Sequence, residues 1–524
     1  MVIKIIMYIT KENPMRIKTK LIILSSLVMS LTLSGCFLKD IIFPGGSITP
    51  EVVSLTKTKL KYTYQDLSNN HRYAVDSTPL SGNPKLLIVP IWFTNSNKYI
   101  SSSYKERVRD DIRKSYLGTD EETGWKSVSS FYYEESKGKL NLDGVVTDWY
   151  ECGLSSTKFY SEQNGGVRTM NLVSEVVDWY KSAYNDPTME SFDADENGYI
   201  DGVILIYGAP DYGSLSTSSD SSNMWAYCYW LQRPRGTPTN PVPNSFFWAS
   251  YDFMYGPTNK VGDYAAGDTS HCALDTHTYI HEMGHVLGLD DYYDYSGKYK
   301  PAGAFSMQDY NVGGHDPYSV MAFGWADPYV PTETCSISIK PFQDSHDIIL
   351  LSPNFGSKSP FDEYLLLEFY TPTGLNKFDT DYHYTTYYPQ GPKISGIRLW
   401  HVDGRLLRDG QIVTDIIQGG YHQHVMSNTY YMGSDMQDYY SPLGEEYCDY
   451  NLLQLIRNNT KATYKPTSYL TGADLFTKGD KFTMSKYSGQ FVNGSKLNSR
   501  YTLGWSFKVD SISSEEAVIT VTRG

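Results

Sequence analysis

One run of five residues narrows what this chain can be more than any other feature. His281-Glu282-Met283-Gly284-His285 sits inside ALDTHTYIHEMGHVLGL (273–289), which reads as an amphipathic helix. Positions four apart share a helix face, so both imidazoles can reach one ion, and histidines at this spacing suit zinc. Glu282 neighbours the first histidine, where its carboxylate can take a proton from a zinc-activated water as general base. Ile280, Met283 and Leu287 fall on the opposite side at core-facing spacing. A third ligand six residues beyond His285 lies too far along a straight helix, so the chain must turn. Gly288 tolerates the left-handed conformation such a turn needs. Asp291 is therefore the first choice for the third protein ligand, leaving an open position for water, with Asp290 and Asp294 as substitutes.

The whole chain bounds the reading. A net charge of −14 over 524 residues excludes nucleic acid as partner, because nothing would neutralise a phosphate backbone. Residues 15–35 read as a basic head followed by a secretory apolar stretch, with Met15 the more natural start. That stretch ends in Leu33-Ser34-Gly35-Cys36, which looks like a bacterial lipobox, with Cys36 acylated and first in the mature chain. These features predict a lipoprotein signal over 1–35 and lipid anchoring at the extracellular face of a bacterial cell membrane. The other five cysteines are widely spaced, without a CxxC pair, and define neither a disulfide framework nor a cysteine-zinc site.

Texture along the chain predicts an α+β fold. Residues 36–80 read as a tether or short pro-segment. Over 81–330, KLLIVPIWF (85–93) and VILIYG (203–208) read as buried strands, and 104–116 and 172–184 as helices. SFFWASYDFMYG (245–256) alternates like a strand, while 214–222 and 233–244 read as loops. Interleaved strands and helices imply a twisted sheet carrying the active-site helix. From 331 to 524 the runs CSISIKPF, HDIILLS, EYLLLEFY, GIRLWHVD and AVITVTR predict an antiparallel β-rich domain of sandwich type.

A second acidic motif lies upstream. Asp193, Asp195, Asn197 and Tyr199 alternate, with Gly198 sixth, like the first half of an EF-hand loop. The twelfth position is Ile204, so a bidentate Glu is missing and Asp201 would close the site. Calcium is the expected ion, in a stabilising role.

The sequence resembles the immune inhibitor A-type metallopeptidases, relatives of the metzincins. Their pattern HExxHxxGxxD, followed by an acidic, tyrosine-containing turn, is matched by HEMGHVLGLDDYYDYSG (281–297). AFSMQD (304–309) matches the methionine turn that floors the zinc site in that group, making Met307 the counterpart and Met321 the second choice. KLLIVPIWF, SSFYYEESKGKLNLDGVVTDWY, 363–379 and 396–403 also look like family segments, and the family has a similar acidic loop before the same strand. The likeness spans most of 85–405, and the tail beyond matches nothing recognisable. It implies a zincin-type catalytic domain, protein or peptide substrates, and one catalytic zinc. A tyrosine after the methionine turn, Tyr310 or Tyr318, is the candidate oxyanion donor. An extended substrate would pair with an edge strand within 245–256. The alternative class is a surface lipoprotein that acts as an adhesin or binding module, against which an intact Glu282 speaks.

Overall fold

The apolar runs of the first half become a mostly parallel sheet because each strand can be covered on both faces. In the computed structural model, which describes residues 51–70, 78–163, 166–211, 224–258, 273–384, 388–408, 411–416, 422–429 and 450–524, this sheet has six strands. They are β1 (Lys85–Trp92), β2 (Asp143–Val146), β3 (Tyr150–Glu151), β4 (Val203–Tyr207), β5 (Tyr227–Trp230) and β6 (Ser245–Ser250). The order is β2-β1-β4-β6-β5, with β3 also on β1. The β1, β2, β3, β4 and β6 pairings are parallel, and β5 runs antiparallel to β6. Residues 1–35, expected to be a signal segment, Cys36 and the serine-rich 214–222 lie outside the described residues.

Strand alternation assigns the two faces to two cores. Leu87, Val89 and Ile91 of β1 point to a core built on the helix α1 (Val167–Ala183), through Leu172, Val173, Val176 and Val177. Leu86 and Ile88 point the other way, to a larger core holding Ile280 and Met283 of the helix α2 (His277–Val286) and Leu287 just after it. Each of those three side chains contributes about 1.5–3 kcal/mol by leaving water, which fixes this helix on the sheet. The Tyr132 hydroxyl donates to the carbonyl of Ile280 at 2.8 Å, and that of Tyr279 to Ser250 at 2.7 Å.

The strand-like alternation expected over 245–256 holds only to Ser250; residues 251–258 wind into 3-10 turns. β6 also lies between β4 and β5, so it is an inner strand. The edge near the helix α2, among the described residues, is β5, and the expectation of an edge strand within 245–256 is corrected. Alternation identifies a strand but carries nothing about its rank in the sheet.

Beyond residue 331 the strands are β7 (Cys335–Ile339), β8 (Ile348–Leu351), β9 (Glu363–Tyr370), β10 (Gly396–Asp403), β11 (Leu406–Arg408), β12 (Gln411–Val413), β13 (Gln423–His424), β14 (Leu453–Ile456), β15 (Lys481–Thr483), β16 (Trp505–Ile512) and β17 (Ala517–Arg523). They form sheets ordered β14-β10-β9-β8, β12-β11-β13 and β15-β16-β17-β7. Leu365, Leu367 and Phe369 of β9 share a core with Ile337, Phe507, Val509 and Ile519 of the last sheet. Tyr364, Leu366 and Tyr370 of the same strand enter the core that holds the helix α2. One sheet thus has a face in each core, and Pro50–Gly524 forms a single compact unit of α+β type.

Residues 51–70 pack against this body. Val52 bridges Ser336, Lys57 bridges Tyr329 and lies 2.8 Å from Asp347, and Leu60 and Tyr64 are buried. Among the described residues, no helix is long and apolar enough to cross a membrane.

Candidate metal centre

The helix α2 presents His281 and His285 one turn apart, then ends at Val286. Gly288 takes φ +112° and turns the chain back, and Asp291 returns to the same point. His281 Nε2 lies 3.1 Å from Asp291 Oδ1, His285 Nε2 lies 3.2 Å from that oxygen, and the two Nε2 atoms are 3.2 Å apart.

The outer nitrogens decide what this triangle is. His281 Nδ1 donates to the carbonyl of Met307 at 2.8 Å, and His285 Nδ1 to that of Leu289 at 2.7 Å. A carbonyl only accepts, so both Nδ1 atoms carry the hydrogen and both Nε2 lone pairs face inward. Two lone pairs and a carboxylate oxygen cannot meet without a cation between them. A tetrahedral site with bonds of about 2.0 Å has ligand edges of about 3.3 Å, so the triangle fits an ion of that size. Without one, a proton must serve. Burial opposes charge on His285, but the Asp291 carboxylate overcomes it and pushes the imidazole up to about 10. Burial likewise opposes charge on Asp291, yet the two histidines hold its carboxyl far below the usual range.

Glu282 is buried next to the triangle, and burial raises its pKa against the opposing effect of His285 and His281. Its Oε2 has no hydrogen-bond partner among the described residues. A carboxylate kept from water and donors is a stronger base. Met307 is buried below the histidines and contributes its carbonyl to His281. Met321 sits in the core helix Pro317–Ala322.

The other candidates separate cleanly. Asp290 points outward, its Oδ2 3.2 Å from His424 Nδ1. Asp294 accepts from the backbone N–H groups of Ser296 and Tyr299, each at 3.2 Å. Tyr318 is fully buried, its hydroxyl engaged by Tyr64 at 3.1 Å and His424 Nε2 at 2.9 Å, which removes it as an oxyanion donor. Tyr310 is half-buried, with its ring 5.2 Å from that of Tyr293, which in turn stacks 6.4 Å from His281.

Three supporting residues were not anticipated. Tyr295 donates to Asp291 Oδ2 at 2.7 Å, leaving Oδ1 to the triangle. Gln308 Nε2 donates to the carbonyl of His281 at 3.1 Å. His277, one turn before His281, donates to the carbonyl of Asn311 at 2.9 Å, and burial holds it down at about 3, so it stays neutral outside the cluster. The tyrosines of 292–295 were the only sequence signal for any of these.

A second group brings Asp193, Asp195 and Asp201 to within 4.8 Å of one another. Asp193 accepts from the N–H groups of Asn197 and Gly198, both at 2.8 Å, and Asp201 from those of Lys85 at 2.8 Å and Ala194 at 3.1 Å. Asn197 Oδ1 accepts from Tyr199 N at 2.8 Å, while the Tyr199 hydroxyl turns away to the carbonyl of Arg233. Gly198 is required here, since a Cβ would lie 2.6 Å from the carbonyl oxygen of Gly236. Burial raises the pKa of all three aspartates, that of Asp201 to about 8.

No family profile matches this chain. It is similar to the pre-pro-metalloprotease PrtV of Vibrio cholerae, in two strains, at 25% identity over 264 residues. The match covers 45% of this chain and 26% of the relative, so the chain aligns to about a quarter of the length of the curated proteins it matches.

Proposed function

We propose that the chain is a zinc metalloendopeptidase that hydrolyses peptide bonds in proteins. The observation that carries this is the convergence of His281 Nε2, His285 Nε2 and Asp291 Oδ1 beside the buried, unpartnered Glu282 oxygen. The similarity to a metalloprotease supports the same reading, and the motif at 281–297 supports the immune inhibitor A type within it.

Zinc bound by the three residues would activate water and polarise the scissile carbonyl. Glu282 receives the proton of the attacking water and delivers it to the leaving amine. Met307 and Leu289 hold the imidazoles in the tautomer that leaves Nε2 free for metal. The edge strand β5 offers backbone groups to an extended peptide beside the helix, a pairing tolerant of side-chain sequence.

The catalytic part is 81–330, of metzincin type, and 331–524 is a β-rich domain whose two four-stranded sheets share a core as a sandwich does. Asp193, Asp195, Asn197, Tyr199 and Asp201 are assigned to a structural calcium, with the Tyr199 carbonyl in place of its side chain. Acylation of Cys36 would hold the enzyme at the outer face of a bacterial membrane.

The test is cleavage of casein by the chain lacking residues 1–36, with zinc and calcium present. Cleavage blocked by phenanthroline and absent in Glu282→Gln is expected. Cleavage that persists in Glu282→Gln would overturn the assignment.

A further inference from the structure

Two metal ligands ride on a helix, but the third hangs on a span with no regular structure, since residues 287–316 run as turns and bends. Backbone groups in such a span must find partners elsewhere. Several of them find partners in the C-terminal half of the chain. Asn428 is fully buried, and its carboxamide joins the two parts. Its Nδ2 donates to the carbonyl of Tyr292 at 3.0 Å and to that of Leu453 at 2.7 Å, and its Oδ1 accepts from Leu453 N at 3.1 Å. One side chain thus ties the residue after Asp291 to the start of β14, a buried strand at the end of a four-stranded sheet.

The clamp continues on both sides. His424 Nδ1 donates to Asp290 Oδ2 at 3.2 Å, and its ring is oriented by the Tyr318 hydroxyl on Nε2 at 2.9 Å. Tyr295 N donates to the carbonyl of Thr429 at 3.2 Å, so the residue whose hydroxyl holds Asp291 is also anchored there. Further along, Lys300 N donates to Pro466 O at 2.7 Å, and Pro301 O accepts from Leu455 N at 3.0 Å. These contacts bracket the third ligand at residues 290, 292 and 295.

We propose that Asn428, aided by His424, positions Asp291, so that the β-rich half sets the affinity of the metal centre and is no detachable module. This rests on the reading of His281, His285 and Asp291 as metal ligands. A ligand on a loosened loop binds more weakly because binding must first order it, and supporting residues around metal ligands typically change affinity by about 10–100-fold.

The experiment compares zinc dissociation constants, by competition with a chromophoric chelator, in the full chain, Asn428→Ala and Val509→Ala. Val509 is buried in β16 within the other core, so its truncation loosens the fold without touching the clamp. Asn428→Ala should weaken zinc binding about 10-fold, with Val509→Ala unchanged although the zinc-free melting midpoint falls in both. Equal zinc affinity in Asn428→Ala and the wild type overturns the proposal, as does equal weakening in Val509→Ala. Should Asn428→Ala not fold, His424→Ala is compared with His424→Asn, whose amide can stand where Nδ1 stood. Weakening by about 3-fold that is restored in His424→Asn supports the clamp, and no difference overturns it. A wild-type chain that binds no zinc overturns the metal reading itself, whereas a zinc-binding wild type with indifferent variants overturns the clamp alone.

Discussion

His281, His285 and Asp291 meet with their lone pairs turned toward one another, whereas Asp193 and Asp201 meet with oxygens already engaged by backbone N–H groups. Both groups contain aspartate, both lie within about one turn of a glycine-assisted bend, and both carry a spacing associated with metal. The first is a set of ligand atoms turned on one another, with two carbonyls that dictate the imidazole tautomer. The second is a loop that largely satisfies itself. A cation is a condition of the first arrangement and an addition to the second, so the two should respond differently to the same treatments.

The largest contrast is in turnover. Asp291→Ala should lose both bound zinc and cleavage, whereas Glu282→Gln should lose about 10²–10⁴ in kcat and keep one zinc per chain by elemental analysis. Asp193→Ala should leave kcat within about 2-fold of wild type, because that loop gives no ligand atom to the triangle. A collapse of kcat in Asp193→Ala at a temperature where the protein stays folded would erase the distinction.

Next in size is the stability that each ion supplies. A ligand at about 1,000 times its Kd adds about 4 kcal/mol. Zinc removal should therefore lower the melting midpoint by several degrees, and a calcium-selective chelator by less. Equal shifts would mean that the self-satisfied loop depends on its ion as fully as the triangle does.

The contrast was half legible in the sequence. The helix, both histidines and the turn at Gly288 are local facts, written within a dozen residues, while β1 and β4 came from apolar runs and β9 and β10 from strand-like runs between turn residues. What decided the rest is non-local. Whether β6 is an edge depends on where 227–230 joins the sheet. Whether Tyr318 can meet substrate depends on Tyr64 and His424, which lie 254 and 106 residues away. The lone-pair conflict at the triangle is set by carbonyls of Met307 and Leu289, and a carbonyl leaves no trace in side-chain spacing. Asn428 is one asparagine among many until its three partners are known.

A smaller effect concerns pH in the absence of zinc. His285, held up at about 10 against an unfolded value near 6.5, contributes stability that is full below about pH 6.5 and is lost as pH rises toward 10. Asp291, held low, contributes above about pH 4 and loses its contribution in acid. The zinc-free melting midpoint should thus decline by about 2–4 °C between pH 7 and 10. With zinc bound the imidazoles carry no Nε2 proton to lose, and the decline should vanish. A zinc-free curve that is flat over this range would show that the histidines and Asp291 do not share a proton.

The smallest effect isolates the second loop. Burial pushes Asp201 up to about 8, well above the usual carboxylate value of about 4. A raised carboxylate favours the folded state in acid and loses that advantage as pH rises through the folded value, so calcium-free protein should soften between pH 4 and 8. Asp201→Asn keeps one oxygen for the N–H groups of Lys85 and Ala194 and carries no charge at any pH. It should raise the calcium-free midpoint at pH 8 by about 1–2 °C and abolish the further gain from calcium. The two signs together are what matter, since a structural aspartate with no ion would give the first without the second. Asp291→Asn should never stabilise, because without zinc it is the carboxylate charge that holds the proton on His285. If both substitutions destabilise alike, the difference drawn between the two clusters is one of spacing and not of wiring.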